Sequence, residues 1–251
     1  MSATPSVTPT SAPTGVIGSV RAVVFAGHGT VFDTTAAVLA AAAQLDGRAE
    51  ALAALWQAKR FEYAWIATAT GRKVELWELT GEALDHAMGA LGFAHDRLLR
   101  ARLMQGLLQA APFPDVKPAL GQLGGNRNRP LALLTNASTM MVTATAKAGE
   151  VYGLFDALLS AEPTGVFKPN PAVYQLATAR FGIPAGDIAY VSANAWDVAG
   201  ARLAGMRTIW LNRSGARGEF AWAPPEAEIE SLAALPALLT AGLPGPGQSA
   251  A

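Results

Sequence analysis

Apolar and polar positions divide the chain into one short strand, a long helical stretch, and a region where strands and helices alternate. Val20–Phe25 is a β-branched apolar run that ends in a Gly-rich loop, as a buried parallel strand does. From Thr35 to Ala111 nothing reads as a strand. That stretch is rich in Ala and Leu. Leu52, Leu55, Trp56 and Tyr63, with the Lys59 stem between them, recur at helical spacing, so roughly three to five helices are expected. Thr80 ahead of Gly-Glu-Ala-Leu predicts an N-cap, and Gly71 and Gly92 predict helix stops.

Beyond Pro112 the pattern predicts strands over Leu131–Leu134, Ala157–Ser160, Ile188–Val191 and Thr208–Leu211. Helices are expected between them over Ser138–Ala148, Pro171–Phe181 and Trp196–Ala204. Alternation of this kind implies a parallel sheet with crossover helices. The fold class expected is α/β: a Rossmann-like parallel-sheet core from 19–34 and 112–241, with an inserted helical cap at 35–111. Residues 1–18 and 242–251, rich in Pro, Ser, Thr and Gly, read as a disordered lead-in and tail.

Composition narrows the chemistry. The chain's 251 residues are 51% hydrophobic and 15% charged, enough for a substantial core. Nineteen basic residues balance nineteen acidic ones, which removes the simplest case for a nucleic acid or an anionic membrane as partner. The absence of cysteine excludes disulfides, thiolate catalysis and Cys-based metal sites. Only His28, His86 and His95 are available for a His-built metal site, so none is expected, and no cofactor either. The start of the chain lacks the basic and apolar regions of a signal peptide, and no apolar run reaches the ~18 residues of a membrane span. A soluble cytoplasmic protein is the expectation.

In open parallel sheets, ligands bind beyond the strands' carboxyl ends. Four polar clusters fall at such places. Ala26-Gly-His-Gly-Thr30 follows the first strand, Thr135-Asn136-Ala-Ser138 the second, and Ser192-Ala-Asn-Ala-Trp-Asp197 the fourth. Phe167-Lys168-Pro-Asn-Pro171 precedes a helix. Each alone is ordinary loop or capping chemistry. Together they converge on one crevice.

The order and spacing of these clusters resemble the haloacid dehalogenase superfamily, and Ser192-Ala-Asn-Ala-Trp-Asp197 resembles its L-2-haloacid dehalogenase branch. The likeness runs from about Arg21 to Leu239 and takes in Trp56-Gln-Ala-Lys-Arg-Phe-Glu-Tyr63 and Ala111-Pro-Phe-Pro-Asp-Val116. The resemblance implies hydrolytic displacement of halide from short (S)-2-haloalkanoic acids, through an aspartyl ester that water cleaves. Lys168 would hold the nucleophile ionised, with Tyr174 supporting the lysine. Asp197 and Asn194, with Ser192, would position water and lysine. Thr30 and Thr135, with Ser138 as a helper, would bind the substrate carboxylate or the nucleophile. His28, Phe61, Leu76 and Trp196 would wall the pocket, and Asn136 would lie near the leaving halide. A cap-mediated homodimer is implied as well.

Two positions depart from that pattern. Where the nucleophilic aspartate belongs stands Ala26, which has no nucleophile, charge or metal-binding oxygen. Where the family's substrate-binding arginine follows the tryptophan stands Gln57, with Arg60 three residues on, on the same helical face. Ala26 fits an engineered change, a natural non-catalytic protein that binds small carboxylates, or hydrolysis through another group such as His28 acting as a base. A metal-dependent phosphatase is a weaker alternative, since Ala26-Gly-His28 replaces the Asp-x-Asp that would hold magnesium. Without its aspartate, Lys168 is expected to turn to Asp197, because a buried ammonium needs a counter-charge.

Overall fold

The computed structural model describes residues 14, 15, 17, 19–124 and 129–241. In chain order its strands and helices are β1 (Thr14–Gly15), β2 (Ala22–Ala26), α1 (Ala36–Leu39), α2 (Ala49–Thr70), α3 (Leu76–Ala90), α4 (Arg97–Leu108) and α5 (Val116–Gly124). There follow β3 (Leu131–Thr135), α6 (Thr139–Ala148), β4 (Ala157–Ser160), α7 (Pro171–Phe181), β5 (Ile188–Ser192), α8 (Ala195–Leu203), β6 (Arg207–Leu211), β7 (Ala227–Ile229) and α9 (Leu235–Ala241). They build a seven-stranded sheet in the order β1-β7-β6-β5-β2-β3-β4. Strands β2 to β7 pair in parallel, and among the described residues only β1 runs antiparallel, to β7. The chain leaves β2 towards β3 on one side and returns to β5 on the other. The carboxyl end of β2 therefore lies at the topological switch point, where such sheets open a crevice.

Strand alternation decides what faces that crevice. Val23 and Phe25 point to one face, with Leu131, Leu133 and Val191, against Val116 and Leu120 of α5 and Val142 of α6. Ala22, Val24 and Ala26 point to the other, with Leu134 and Tyr190, against Val173 and Tyr174 of α7 and Ala201 of α8. Ala26, Tyr190 and Tyr174 thus share one side of the sheet.

Helices α1 to α4 have a core of their own, built on Leu52, Trp56, Leu84, Met88, Leu99 and Leu103. A smaller cluster, Ala64, Ala67 and Leu79 with Phe167, spans the seam between these helices and the sheet. The Thr68 hydroxyl accepts the Phe167 N–H there at 2.9 Å, one residue before Lys168.

The structure corrects three expectations. Thr80 does not cap a helix; it lies buried inside α3, which begins at Leu76. Burial of Leu79, Ala83, Leu84 and Ala87 on one face carries the helix through Gly81. Helix α5, strand β7 and helix α9 also form where no element was expected. Thr14 and Gly15 pair with Glu228 and Ala227, and Ile17 is buried, so these three are ordered parts of the expected lead-in. The remainder of that lead-in and the 242–251 tail lie outside the described residues. The expected stops hold: Gly71 caps α2 at φ 70°, and Gly92, at φ 81°, follows the end of α3.

Candidate active site

The loop after β2 is tied down on two sides. The buried Thr30 hydroxyl accepts the Ala193 N–H at 2.9 Å, joining this loop to the one after β5. The Thr30 carbonyl accepts from Arg213 at 3.1 Å. Arg213 in turn forms a bidentate pair with Asp115 at 2.7 and 2.9 Å. Asp115 is the acid of the Pro-Phe-Pro-Asp stretch, so that stretch serves as an anchor for the β2 loop.

Beneath Ala26 lies a closed polar network. The Lys168 ammonium donates to the Leu134 carbonyl at 2.8 Å, to the Tyr190 hydroxyl, and across 3.4 Å to Asp197 Oδ2. Asp197 Oδ2 also accepts from Tyr190 and Ser192, each at 2.9 Å, and Oδ1 accepts from Tyr174 at 2.7 Å. Ser192 Oγ receives the Asn194 N–H at 3.2 Å, and Asn136 Oδ1 receives the Lys168 backbone N–H at 2.8 Å. Tyr174 was expected to support Lys168. Its hydroxyl is engaged by Asp197 instead, and Tyr190 is the tyrosine on the lysine.

Above Ala26 is a cavity of about 50 Å³ lined by Ala26, His28, Thr135, Asn136, Lys168, Asn194, Trp196 and Asp197 from the sheet side and by Arg60, Phe61 and Leu76 from α2 and α3. Leu76 and Asn136 also line a larger outer hollow of about 650 Å³, to whose wall Ser138 belongs. Thr30, Tyr174 and Ser192 stand behind the lining and hold it. Ser138 caps α6 by accepting the Met141 N–H. Gln57 is half-buried on α2 and is not among the residues lining the cavity, whereas Arg60, three residues on, is. Phe61 and Trp196 meet edge to face at 5.0 Å and close the rim.

Electrostatics follow from this packing. Burial, then Arg60 and Lys168, lower the His28 imidazole from 6.5 to about 3, so it is neutral at pH 7. Burial alone lowers the Arg60 guanidinium to about 10. Burial also lowers the Lys168 ammonium, against the opposing pull of Asp197. The Tyr174 and Tyr190 phenols are raised by burial and by Asp197, and so stay protonated donors. The donor set does not suit a divalent cation. Asp197 is the one carboxylate among the lining residues, its oxygens are already engaged, and no trio of His, Asp or Glu converges among the described residues.

Two members of this site carried no sequence signal of their own. Tyr190 reads as an ordinary strand aromatic, although it lies two residues before Ser192 and so on the same face. Gly200 reads as a helix glycine. A Cβ there would stand 2.5 Å from the Tyr174 hydroxyl and 2.7 Å from Pro169 Cβ, so glycine is what lets Tyr174 pass to Asp197.

Comparison with known proteins agrees with this layout. The haloacid dehalogenase-like hydrolase family model matches residues 20–205. An (S)-2-haloacid dehalogenase from Pseudomonas sp. strain CBS-3 is 34% identical over 220 residues, which is 88% of this chain and 96% of that one. The chain belongs to the (S)-2-haloacid dehalogenase family of haloacid dehalogenase-like hydrolases. (S)-2-haloacid dehalogenase 4A of Burkholderia cepacia is also 34% identical, over 89% of this chain and 96% of its own length. Among solved dehalogenase structures, one with an intermediate complex superposes with a TM-score of 0.86 at 34% identity, covering 89% of this chain and 99% of that one. The L-2-haloacid dehalogenase of Xanthobacter autotrophicus with chloropropionic acid covalently bound gives 0.81 at 29% identity, over 88% of this chain and 98% of that one. The (S)-2-haloacid dehalogenase fold is therefore kept from the core to the helices over the crevice.

Proposed function

We propose that this chain binds short 2-substituted carboxylates of the 2-haloacid class and does not turn them over by the ester route, because Ala26 offers no nucleophilic atom. One observation carries the reading. The buried assembly of Lys168, Asp197, Tyr174, Tyr190 and Ser192 is complete around a strand end that carries only a methyl group. An assembly of buried charges is costly to keep without geometry that satisfies it, and this one is satisfied beside a cavity that Lys168 and Arg60 both line. The relatives' chemistry, halide displacement from 2-haloalkanoates, supports the ligand class. We extend the reading, on the resemblance, to a cytoplasmic setting and a homodimer through the cap; exposed Trp65 and Ile66 on α2 support the latter.

The test is calorimetry with (S)-2-chloropropionate and monochloroacetate beside a halide-release assay on the same samples. Saturable binding without halide above the buffer rate is the expected result. Sustained release at many turnovers per chain would contradict the loss of catalysis, and absence of binding would contradict the ligand class.

A further inference from the structure

We infer that Tyr190 is the positioning residue that takes the place of a carboxylate at position 26: its hydroxyl, held by Asp197, is the near acceptor for the Lys168 ammonium. The inference stands whichever ligand the cavity takes, and it couples positions 26 and 190 energetically.

Strand register brings the residues together. Ala26 of β2 lies opposite Leu134 of β3, whose carbonyl accepts from Lys168 at 2.8 Å. The ammonium is therefore fixed at the strand end that Ala26 occupies, and both residues line the same cavity. On the other side of β2, Tyr190 of β5 pairs with Val24, two residues before Ala26, so its ring lies on the face that Ala26 shares. The ring meets Tyr174 edge to face at 5.5 Å, which fixes its direction. Packing alone would be served by phenylalanine, because Tyr190 is fully buried in an apolar cluster. Its hydroxyl is a polar atom in that cluster, and only the partners it joins offset the cost of burying it.

A count of donors shows what the hydroxyl does. An ammonium has three N–H donors and no acceptor. Those of Lys168 meet the Leu134 carbonyl, the Tyr190 hydroxyl and Asp197 Oδ2. The direct contact with Asp197, at 3.4 Å, is longer than the ~2.7–2.9 Å of a charge-assisted bond. The carboxylate therefore acts on the lysine chiefly through Tyr190. A carboxylate only accepts and an ammonium only donates, so the phenol donates to Asp197 Oδ2 at 2.9 Å and accepts from Lys168. Burial and Asp197 raise the phenol, which keeps its hydrogen. The other titratable and charged groups nearby are Tyr174, which donates to Asp197 Oδ1, and His28 and Arg60 on the cavity wall. Among the described residues none of these accepts from the ammonium.

The experiment is a double-mutant cycle at positions 26 and 190 in the full chain, read by urea unfolding at pH 7 and by NMR titration of the Lys168 Cε resonance. Tyr190→Phe alone should raise the unfolding equilibrium constant roughly 10- to 100-fold, the range for a hydrogen bond to a charged group. It should also lower the pH at which Lys168 titrates by about one unit or more, since the charged form loses an acceptor. With Ala26→Asp in place, the new carboxylate takes the donor that Tyr190 leaves. The same Tyr190→Phe change should then cost roughly 10-fold less, and Lys168 should titrate higher again. Tyr174→Phe is the control: it removes a hydroxyl from Asp197 and none from Lys168, so its cost should be the same in both backgrounds. Equal costs of Tyr190→Phe in the two backgrounds, or a Lys168 titration that Tyr190→Phe does not move, overturn the proposal, because a tyrosine that only packs behaves so. A Tyr174→Phe cost that falls in the same way overturns it too, since the coupling would then run through Asp197 alone. Should Tyr190→Phe fail to fold, recovery of the fold by Ala26→Asp is the expected result, and continued failure overturns the proposal.

Discussion

The ammonium of Lys168 stands 3.4 Å from the carboxylate of Asp197, with both side chains almost fully buried. The residue that the resemblance pairs with Lys168 is an alanine, so the lysine's counter-charge comes from elsewhere. It comes from the first turn of α8, and the Tyr190 hydroxyl bridges the two groups by accepting from one and donating to the other. The site is thereby self-contained, and its integrity does not depend on a carboxylate at position 26.

Breaking this pair should be expensive. Lys168→Met leaves Asp197 buried with hydroxyl donors only, and removal of one partner from a buried pair costs about 3–5 kcal/mol. Urea unfolding at pH 7 should register that loss. A Lys168→Met/Asp197→Asn chain should be less destabilised than the sum of the two single changes, because neither then strands a charge. Additive costs would mean that the two groups do not interact.

Gly200 makes the reach of Tyr174 possible. Gly200→Ala places a methyl against the Tyr174 hydroxyl and Pro169, and overpacking of this kind costs about 1–3 kcal/mol. Part of that cost should vanish in a Tyr174→Phe background, where the hydroxyl is absent. The same urea midpoints decide it, and a neutral Gly200→Ala would contradict the close approach.

His28 should make the protein acid-sensitive. Its folded-state value, about 3, is depressed below the 6.5 of the free imidazole. Between those values the unfolded chain takes up a proton that the folded one refuses, so stability falls as pH drops from 6.5 towards 3 and is unaffected by this group above 6.5. His28→Gln should flatten that part of the profile. Unfolding midpoints of the His28→Gln chain, measured from pH 4 to 7, that keep the wild-type slope would rule out an imidazole held neutral by the fold.

Much of this site could be read from the chain because strand ends in a parallel sheet collect their ligand-binding residues in short polar clusters. Thr135, Asn136, Lys168, Asn194 and Asp197 stand in such clusters, and all line the cavity. Residues acting from inside regular elements were hidden. Tyr190 is hydrophobic in pattern and polar only at its tip, and Gly200 matters for the side chain it lacks. Gln57 and Arg60 differ by less than one helical turn, so spacing alone could not say which enters the crevice; packing of Trp56 beneath Arg60 decides it. Thr80 reads as a cap by residue type, and burial of its neighbours in α3 overrides that preference. Strand β7 is three residues long, too short for a periodic pattern, and forms by pairing with β6.

Restoring the missing carboxylate tests the central claim, that everything except the nucleophile is in place. Ala26→Asp should release halide from (S)-2-chloropropionate faster than the unmodified chain by ~10⁴–10⁶, the scale on which loss of a nucleophile is felt. An Ala26→Asp chain that folds and binds the acid, yet releases no more halide than the unmodified protein, would contradict the account.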